Sequence, residues 1–270
     1  MGQINHLLII GCGNMGGAML AGWLAAGLDP ARFSILDPAL ESAPDGVALY
    51  RDVAQAEATG GHDAVLLGFK PQQLSALAPG LQSLTGEGVA VYSLLAGLTL
   101  AQLERAFPNA PAHIRVMPNL VARINKSPII LMETGLSAVG RENAFVHFDQ
   151  LGTAIWLEDE AKFDLVTALA GSGPGFVYRF IDALAEAGRS LGLDADQATS
   201  LALATVDGAS SLAANAEVAP GTLADQVASP GGMTREGLNV LDDDKALVEL
   251  LTKTLKATAE RGTQLSASAD

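Results

Sequence analysis

Leu7-Leu8-Ile9-Ile10-Gly11-Cys12-Gly13-Asn14-Met15-Gly16 is the stretch that decides the fold of the amino-terminal half. The first four residues have the length of a buried strand, and residues 17–24 follow a helical pattern. GxGxxG between a strand and a helix is typical of dinucleotide-binding folds, where the glycines make the turn, admit the pyrophosphate and allow close packing. The pattern predicts cofactor contacts at Gly11, Gly13, Asn14, Met15 and Gly16, with a plain glycine-rich turn as the alternative.

Asp37 ends a second predicted strand, residues 33–36, about 20 residues beyond Gly16. A carboxylate at this place can accept hydrogen bonds from the ribose hydroxyls of NAD, and it repels the extra phosphate of NADP. Asp37 therefore favours NAD(H) over NADP(H). The alternative is that Asp37-Pro38 only ends the strand as a turn.

Further strands are predicted at residues 64–69, 89–95, 113–117 and 129–132, with helices near 72–84, 99–106 and 137–151. This alternation predicts a doubly wound, mostly parallel α/β sheet of the Rossmann type. Ligands of such sheets lie beyond the carboxyl ends of the strands, where Lys70 and Asn119 are found. Both residues are candidates for cofactor or substrate contact, although solvated or capping roles are equally open.

The second half of the chain has helical patterns only. Apolar residues from Phe176 to Leu191 follow helical spacing, residues 198–216 are apolar around most of the helix, and a last helix is predicted at 246–265. We therefore expect a dinucleotide-binding domain at 1–158 and an all-helical domain at 159–270. A helix that is apolar nearly all round is buried, so a partner chain is expected to cover part of this domain.

Two glycine-rich breaks interrupt the helical half, Gly171-Ser172-Gly173-Pro174 and Ser229-Pro230-Gly231-Gly232-Met233-Thr234. Such breaks cost helix stability unless exposed backbone N–H groups are wanted there. They indicate an anion site, and a Pro-Gly turn between two helices is the alternative for the second break.

The composition excludes several other classes of protein. The chain has 270 residues, 16 basic and 30 acidic, and a formal charge of −14 without a basic patch, which argues against a nucleic-acid partner. Cys12 is the only cysteine, so no internal disulfide is possible, and its expected role is filling a small gap rather than reacting as a thiolate. The four histidines are scattered, so no metal site is expected. We expect a cytoplasmic protein without a membrane span.

The sequence resembles the pyrroline-5-carboxylate reductase family over nearly the whole chain. The resemblance is carried by Gly11 to Gly16, Lys70-Pro71-Gln72, Ser93 with Ala96-Gly97, Arg115-Val116-Met117-Pro118-Asn119, Gly171 to Pro174 and Ser229 to Thr234. It implies a Rossmann domain followed by a helical domain that interlocks into a homodimer, sometimes within a larger ring of dimers. The implied activity is NAD(P)H-dependent reduction of 1-pyrroline-5-carboxylate to L-proline, the last step of proline biosynthesis.

The resemblance also implies roles for individual residues. Ser229, Gly231, Gly232 and Asn119 would bind the substrate, and the hydroxyl of Thr234 would hydrogen-bond the ring nitrogen as the catalytic contact. Lys70, Pro71, Ser93, Ala96 and Gly97 would join the glycine turn in binding the cofactor. Leu120-Val121 stands where the family commonly has Thr-Pro, and Asp37 stands where many relatives carry a basic residue that holds NADP.

Two other functions remain open at this point. One is a different NAD(P)-dependent imine reductase or a β-hydroxyacid dehydrogenase-like enzyme, although the latter usually places a catalytic lysine on the segment equivalent to 173–191, which here contains no lysine. The other is a non-catalytic dinucleotide-binding sensor, which would have no need for the substrate loop at Ser229 to Thr234.

Overall fold

The computed structural model describes residues 4–267, which divide by their mutual contacts into two compact units. The first unit holds the described residues up to Ser172 and from Thr258 onward, and the second holds Gly173–Ala257. The boundary predicted after residue 158 falls inside the first unit and stays a prediction. No helix among the described residues is long and apolar enough to cross a membrane.

The first unit is built on one sheet with the order β3-β2-β1-β4-β5-β6-β7-β8. The strands are β1 Leu7–Ile10, β2 Phe33–Leu36, β3 Ala48–Tyr50, β4 Ala64–Leu67, β5 Ala90–Ser93, β6 His113–Met117, β7 Ser127–Thr134 and β8 Gly152–Trp156. All pairs are parallel except β6 with β7. The predicted doubly wound, mostly parallel Rossmann sheet is thus confirmed.

The central strand β1 pairs with β2 on one side and with β4 on the other, with Leu7 opposite both Phe33 and Ala64. All four residues of β1 are buried, because helices cover both faces of the sheet. The chain order reverses between these two neighbours, and the switch point of a doubly wound sheet is where ligands bind. The loops after β1, β2, β4, β5 and β6 therefore frame the site.

The helices of the first unit are α1 Asn14–Ala25, α2 Val53–Thr59, α3 Leu74–Leu77, α4 Leu100–Ala106, α5 Ala138–Asp149 and α6 Phe163–Val166. Short 3-10 segments lie at Pro30–Arg32, Pro71–Gln73, Ala78–Leu84, Leu120–Ile124 and Glu160–Lys162, and a π-helical turn lies at Thr167–Gly171. Helix α1 packs closely on the 3-10 turn after β6, since a Cβ at Gly22 would overlap the carbonyl oxygen of Ala122.

The second unit is all-helical, as predicted. Its helices are α7 Gly173–Ser190, α8 Ala195–Ala214, α9 Pro220–Val227, α10 Met233–Asp242 and the start of α11 Ala246–Ala267, with a 3-10 turn at Asp243–Lys245. Helices α7 and α8 pack on each other through small residues, and the buried apolar cluster of this unit contains only Ala185, Ala198 and Ala202. Large apolar side chains of α8, such as Leu203 and Leu212, are more than half exposed.

The structure adds elements that the sequence patterns do not predict: β3, α2, β8, α6, α9 and α10. Strand β3 has three residues, too few for periodicity to register, and it is defined by pairing with β2. Strand β8 lies at the sheet edge, with a mixed pattern of exposed and buried residues, and is fixed by its pairing with β7. The predicted strand at 129–132 extends to Ser127–Thr134.

Candidate active site

The glycine turn after β1 has the conformation that its sequence predicts. Gly11 has φ +85°, and a Cβ there would lie 2.9 Å from the backbone nitrogen of Phe69. A Cβ at Gly16 would lie 3.1 Å from the carbonyl oxygen of Gly11, in tighter contact than side chains normally allow. The turn is therefore fixed by close backbone packing, which requires glycine at Gly11 and leaves little room for a side chain at Gly16.

Gly13 is not required by packing, because nothing lies within 4 Å of the position that its Cβ would take. It is the N-cap residue of α1, and no side chain caps the helix there. The first N–H groups of this 12-residue helix are therefore open to an anion, because Gly13 and Asn14 are exposed and Met15 is half-buried. The local structure fits a bound pyrophosphate.

Asp37 lies directly after β2, and its carboxylate accepts two backbone hydrogen bonds. Oδ2 accepts from the N–H of Cys12 at 2.9 Å, and Oδ1 accepts from the N–H of Ala39 at 2.9 Å. Asp37 therefore ties the glycine turn to the end of β2, and its contact with a ribose stays a prediction.

Cys12 is confirmed as a small apolar filler. It is buried, and burial, together with the nearby charge of Asp37, raises the pKa of its thiol to about 11. The thiol is therefore neutral at physiological pH and lacks the thiolate that would make it reactive.

The predicted residues after β4 and β5 lie at the same edge of the sheet. Lys70 is exposed at the start of the 3-10 turn with Pro71, and its N–H donates to Oε1 of Gln73 at 3.1 Å. Ser93 is buried at the end of β5, and its hydroxyl oxygen accepts from the N–H of Leu95 at 3.2 Å. Ala96 is exposed at the following loop and Gly97 has φ +77°. Their contact with a cofactor stays a prediction.

Asn119 follows β6 and is buried with its amide group engaged inside the chain. Oδ1 accepts from the N–H of Val121 at 3.1 Å, and Nδ2 donates to the carbonyl oxygen of Ala170 at 2.8 Å. Ala170 belongs to the π-helical turn Thr167–Gly171, a type of turn found frequently at functional sites. The substrate contact of Asn119 stays a prediction. In this structure its side chain joins β6 to the turn before Gly171-Ser172-Gly173-Pro174.

The loop Ser229 to Thr234 lies in the second unit between α9 and α10. Gly231 has φ +70°, and the N–H of Gly232 donates to the carbonyl oxygen of Ser229 at 2.9 Å. Gly232 is the N-cap of the ten-residue α10, which no side chain caps, so the first N–H groups of that helix are available to an anion. Arg235 supports the loop by pairing with Asp225 of α9 at 2.8 Å.

Thr234 lies in the first turn of α10 and is exposed. Within residues 4–267 its hydroxyl has no hydrogen-bond partner, so it can still donate to a ligand. The described residues contain no group of three or more His, Cys, Asp or Glu side chains that could hold a metal ion.

The sequence patterns do not single out Gly68 and Glu160. A Cβ at Gly68 would overlap the carbonyl oxygen of Gly11. The loop after β4 therefore needs glycine at this position, for the same steric reason as the turn after β1 needs Gly11. Glu160 pairs with the buried Arg115 of β6 at 2.8 Å. The position of Gly68 near the end of a predicted strand is the one sequence feature that could have identified it. No sequence feature links Glu160 to Arg115.

Known proteins resemble this chain along almost its whole length. Residues 160–265 match the family model for pyrroline-5-carboxylate reductase dimerisation, and residues 6–97 match the model for coenzyme F420-dependent NADP oxidoreductases. A pyrroline-5-carboxylate reductase of Pseudomonas aeruginosa is 32% identical over 267 residues, which is 97% of each chain. The chain belongs to the pyrroline-5-carboxylate reductase family. The family shown by the comparisons is the one that the motifs predict.

Other relatives and solved structures agree with this membership. Pyrroline-5-carboxylate reductase 2 of Bacillus subtilis is 35% identical over 77% of this chain and 75% of its own. The reductase structure from Coxiella burnetii has a TM-score of 0.88 and 30% identity, covering 98% of this chain and 99% of its own. The Plasmodium falciparum enzyme with NADP bound has a TM-score of 0.83 at 21% identity, covering 98% and 100%, and supports the fold alone.

Proposed function

We propose that this reductase-family protein converts 1-pyrroline-5-carboxylate to L-proline with a nicotinamide dinucleotide, the last step of proline biosynthesis. The observation that carries the proposal is the full-length similarity to pyrroline-5-carboxylate reductases in a chain that retains an open glycine turn and an uncapped glycine loop. The protein is an oxidoreductase acting on a C–N bond.

The first unit holds the dinucleotide. The uncapped N–H groups of α1 face the pyrophosphate position beside Gly13, and the loops after β4 and β5 take the nicotinamide half. When bound, the reduced nicotinamide supplies the hydride, while the chain supplies position and electrostatics. Lys70, Ser93, Ala96 and Gly97 are the residues of these two loops that we assign to cofactor contact.

NADH is the cofactor that we infer to be preferred. The carboxylate of Asp37 stands at the end of β2, where the adenosine ribose reaches, and a phosphate on that ribose would meet a like charge. The two backbone N–H groups that donate to Asp37 hold its carboxylate in this position. Asp37 can therefore select against NADPH by repulsion.

The second unit is assigned to the substrate. Gly231 and Gly232 carry no side chain between their backbone and an anion, and the start of α10 attracts negative charge, so the loop suits the substrate carboxylate. The free hydroxyl of Thr234 can hydrogen-bond the ring nitrogen and so orient the C=N bond. With the ring nitrogen protonated from solvent, the iminium carbon accepts the hydride, and the C=N π electron pair becomes the lone pair of the secondary amine of proline.

We infer a homodimer that forms through the second unit, as the dimerisation model over residues 160–265 suggests. This unit exposes large apolar side chains, including Phe180, Leu203 and Leu212, and its small alanine core does not bury them. A second subunit packed against this unit would remove them from water. A larger ring of dimers and a cytoplasmic location stay predictions.

The alternative functions are less well supported. Helix α7 contains no lysine, which a β-hydroxyacid dehydrogenase-like enzyme would use there. A sensor without activity would not need the uncapped loop at Gly232. The deciding experiment mixes the protein with NADH and pyrroline-5-carboxylate and follows the loss of NADH absorbance together with proline formation. Binding of NADH without proline formation would contradict the reductase and favour the sensor.

A further inference from the structure

The loop between β5 and α4, residues 94–99, is anchored at both ends. At its start the N–H of Leu94 donates to the carbonyl oxygen of Leu67 at 2.9 Å, and Leu95 is held by the hydroxyl oxygen of Ser93. At its end the N–H of Leu100, the first residue of α4, donates to Oε1 of Glu160 at 2.9 Å. Among residues 94–99, only Ala96 is exposed.

Glu160 is distant in sequence from this loop, and the same oxygen, Oε1, also accepts from Nη1 of Arg115 at 2.8 Å. Arg115 lies on β6 next to Ser93 in the sheet register, and it is only 5% exposed. Its guanidinium lies 3.5 Å from the centre of the Phe163 ring, so it is fixed by stacking as well as by the ion pair. A buried charge of this kind needs its partner, which makes the position of Glu160 well defined.

The nicotinamide half of a bound dinucleotide must lie on the side of this loop. The sheet order is β2-β1-β4-β5, with Asp37 after β2 and the pyrophosphate turn after β1. An adenosine ribose at Asp37 directs the other half of the dinucleotide over the loops after β4 and β5. The exposed tip at Ala96 and Gly97 therefore faces the nicotinamide end, and Glu160 holds the far end of that tip in place.

From this geometry we propose that Glu160 is a positioning residue for the nicotinamide end of the cofactor site, acting through its shared hydrogen bonds to Leu100 and Arg115. The proposal rests on the proposed function in taking residues 94–99 as a cofactor loop. Glu160 itself does not touch the cofactor. Its loss would let the loop move at the nicotinamide end while leaving the adenosine end, at β1 and β2, unchanged.

The test compares two ligands by titration calorimetry: NADH, which fills the whole site, and ADP, which fills only the adenosine and pyrophosphate end. For Glu160→Ala we expect NADH binding about tenfold weaker and ADP binding within twofold of the wild type. Glu160→Asp, a milder change that shortens the side chain, is expected to shift NADH binding in the same direction. Glu160→Gln keeps an acceptor oxygen for Leu100 but removes the charge that pairs with Arg115, so it is expected to restore only part of the NADH affinity lost in Glu160→Ala.

Glu158→Ala is the matched control, because Glu158 is a nearby glutamate that pairs with Arg141 on the surface. We expect it to change neither affinity. Equal weakening of NADH and ADP in Glu160→Ala and Glu160→Asp would overturn the proposal, since it would show a general loss of structure. No change in either ligand would also overturn it. Wild-type protein that binds neither ligand would instead overturn the cofactor assignment itself.

Discussion

The backbone N–H of Cys12 donates a 2.9 Å hydrogen bond to Oδ2 of Asp37, which joins the phosphate-binding turn to the residue expected at the ribose. One carboxylate thus has a structural task, and we infer a selective one for it. The two tasks can be separated by substitution, because an amide keeps an acceptor oxygen for Cys12 and removes the negative charge, although its NH2 group takes the place of the oxygen that accepts from Ala39.

Asp37→Asn is therefore expected to lower the preference for NADH while preserving the turn. In the wild type we expect NADPH to bind at least about tenfold more weakly than NADH, since like charges brought together cost more than about 1.4 kcal/mol. In Asp37→Asn the ratio of the two dissociation constants is expected to approach one. Quenching of intrinsic fluorescence by each nucleotide measures both constants. A wild type that prefers NADPH strongly would contradict the assigned role of Asp37.

Thr234→Ala is expected to reduce kcat/KM for the imine by about tenfold or more, the loss of one hydrogen bond worth roughly 1.5 kcal/mol. NADH binding is expected to stay unchanged, because Thr234 is assigned to the substrate alone. Thr234→Ser retains the hydroxyl and serves as the control, with most of the activity restored. Wild-type kinetics in the alanine variant would remove Thr234 from the catalytic site.

The dimer can be tested by light scattering. We expect a mass of at least twice the 27.7 kDa of one chain at micromolar concentration. Leu212→Glu places a charge on an apolar side chain that is 65% exposed in the single chain, so it is expected to shift the population towards monomer. Val139→Glu, on an equally exposed residue of α5 in the first unit, is the control. A monomeric wild type would refute the inferred assembly.

The sequence predicts the glycine turn, the position of Asp37 after β2 and the central strands. Each of these depends on a local feature, namely a strand-length apolar run and the residues that directly follow it. The short edge strand β3 and the pairing of Glu160 with Arg115 could not be predicted in this way. Both depend on contacts between segments that are far apart in the chain, which local patterns do not record. The engagement of Asn119 with Ala170 is of the same kind, because it needs the π-helical turn to place a carbonyl oxygen opposite β6.

The packing of α1 on the turn after β6 predicts opposite effects for two glycines of one helix. Gly22→Ala would force a Cβ into the carbonyl oxygen of Ala122, so we expect it to lower the free energy of unfolding by about 2 kcal/mol or more. Gly17→Ala would make only an ordinary contact, 3.9 Å from the carbonyl oxygen of Cys12, and should raise stability by up to about 1 kcal/mol through helix propensity. Urea denaturation measures both. Similar effects of the two substitutions would contradict this account of the packing.

We expect His147 to make the first unit sensitive to acid. It is 5% exposed beneath Trp23, with ring centroids 4.7 Å apart, and within the described residues its Nε2 has no hydrogen-bond partner. Burial, together with the charge of Arg32, lowers its pKa to about 3 from an ordinary value of 6.5. Between these two values the unfolded chain binds a proton that the folded chain does not bind, so stability falls as the pH is lowered through this range.

From pH 7.5 to pH 5 this one group is expected to lower the free energy of unfolding by about 2 kcal/mol, since each unit below pH 6.5 contributes about 1.4 kcal/mol. His147→Leu has a similar volume and cannot take up a proton, so the variant should lose this part of the pH dependence. Urea midpoints of both proteins at the two pH values separate the contribution of His147 from that of all other groups. Parallel pH profiles for the wild type and His147→Leu would contradict the neutral burial of the imidazole, which requires the two profiles to diverge below pH 6.5.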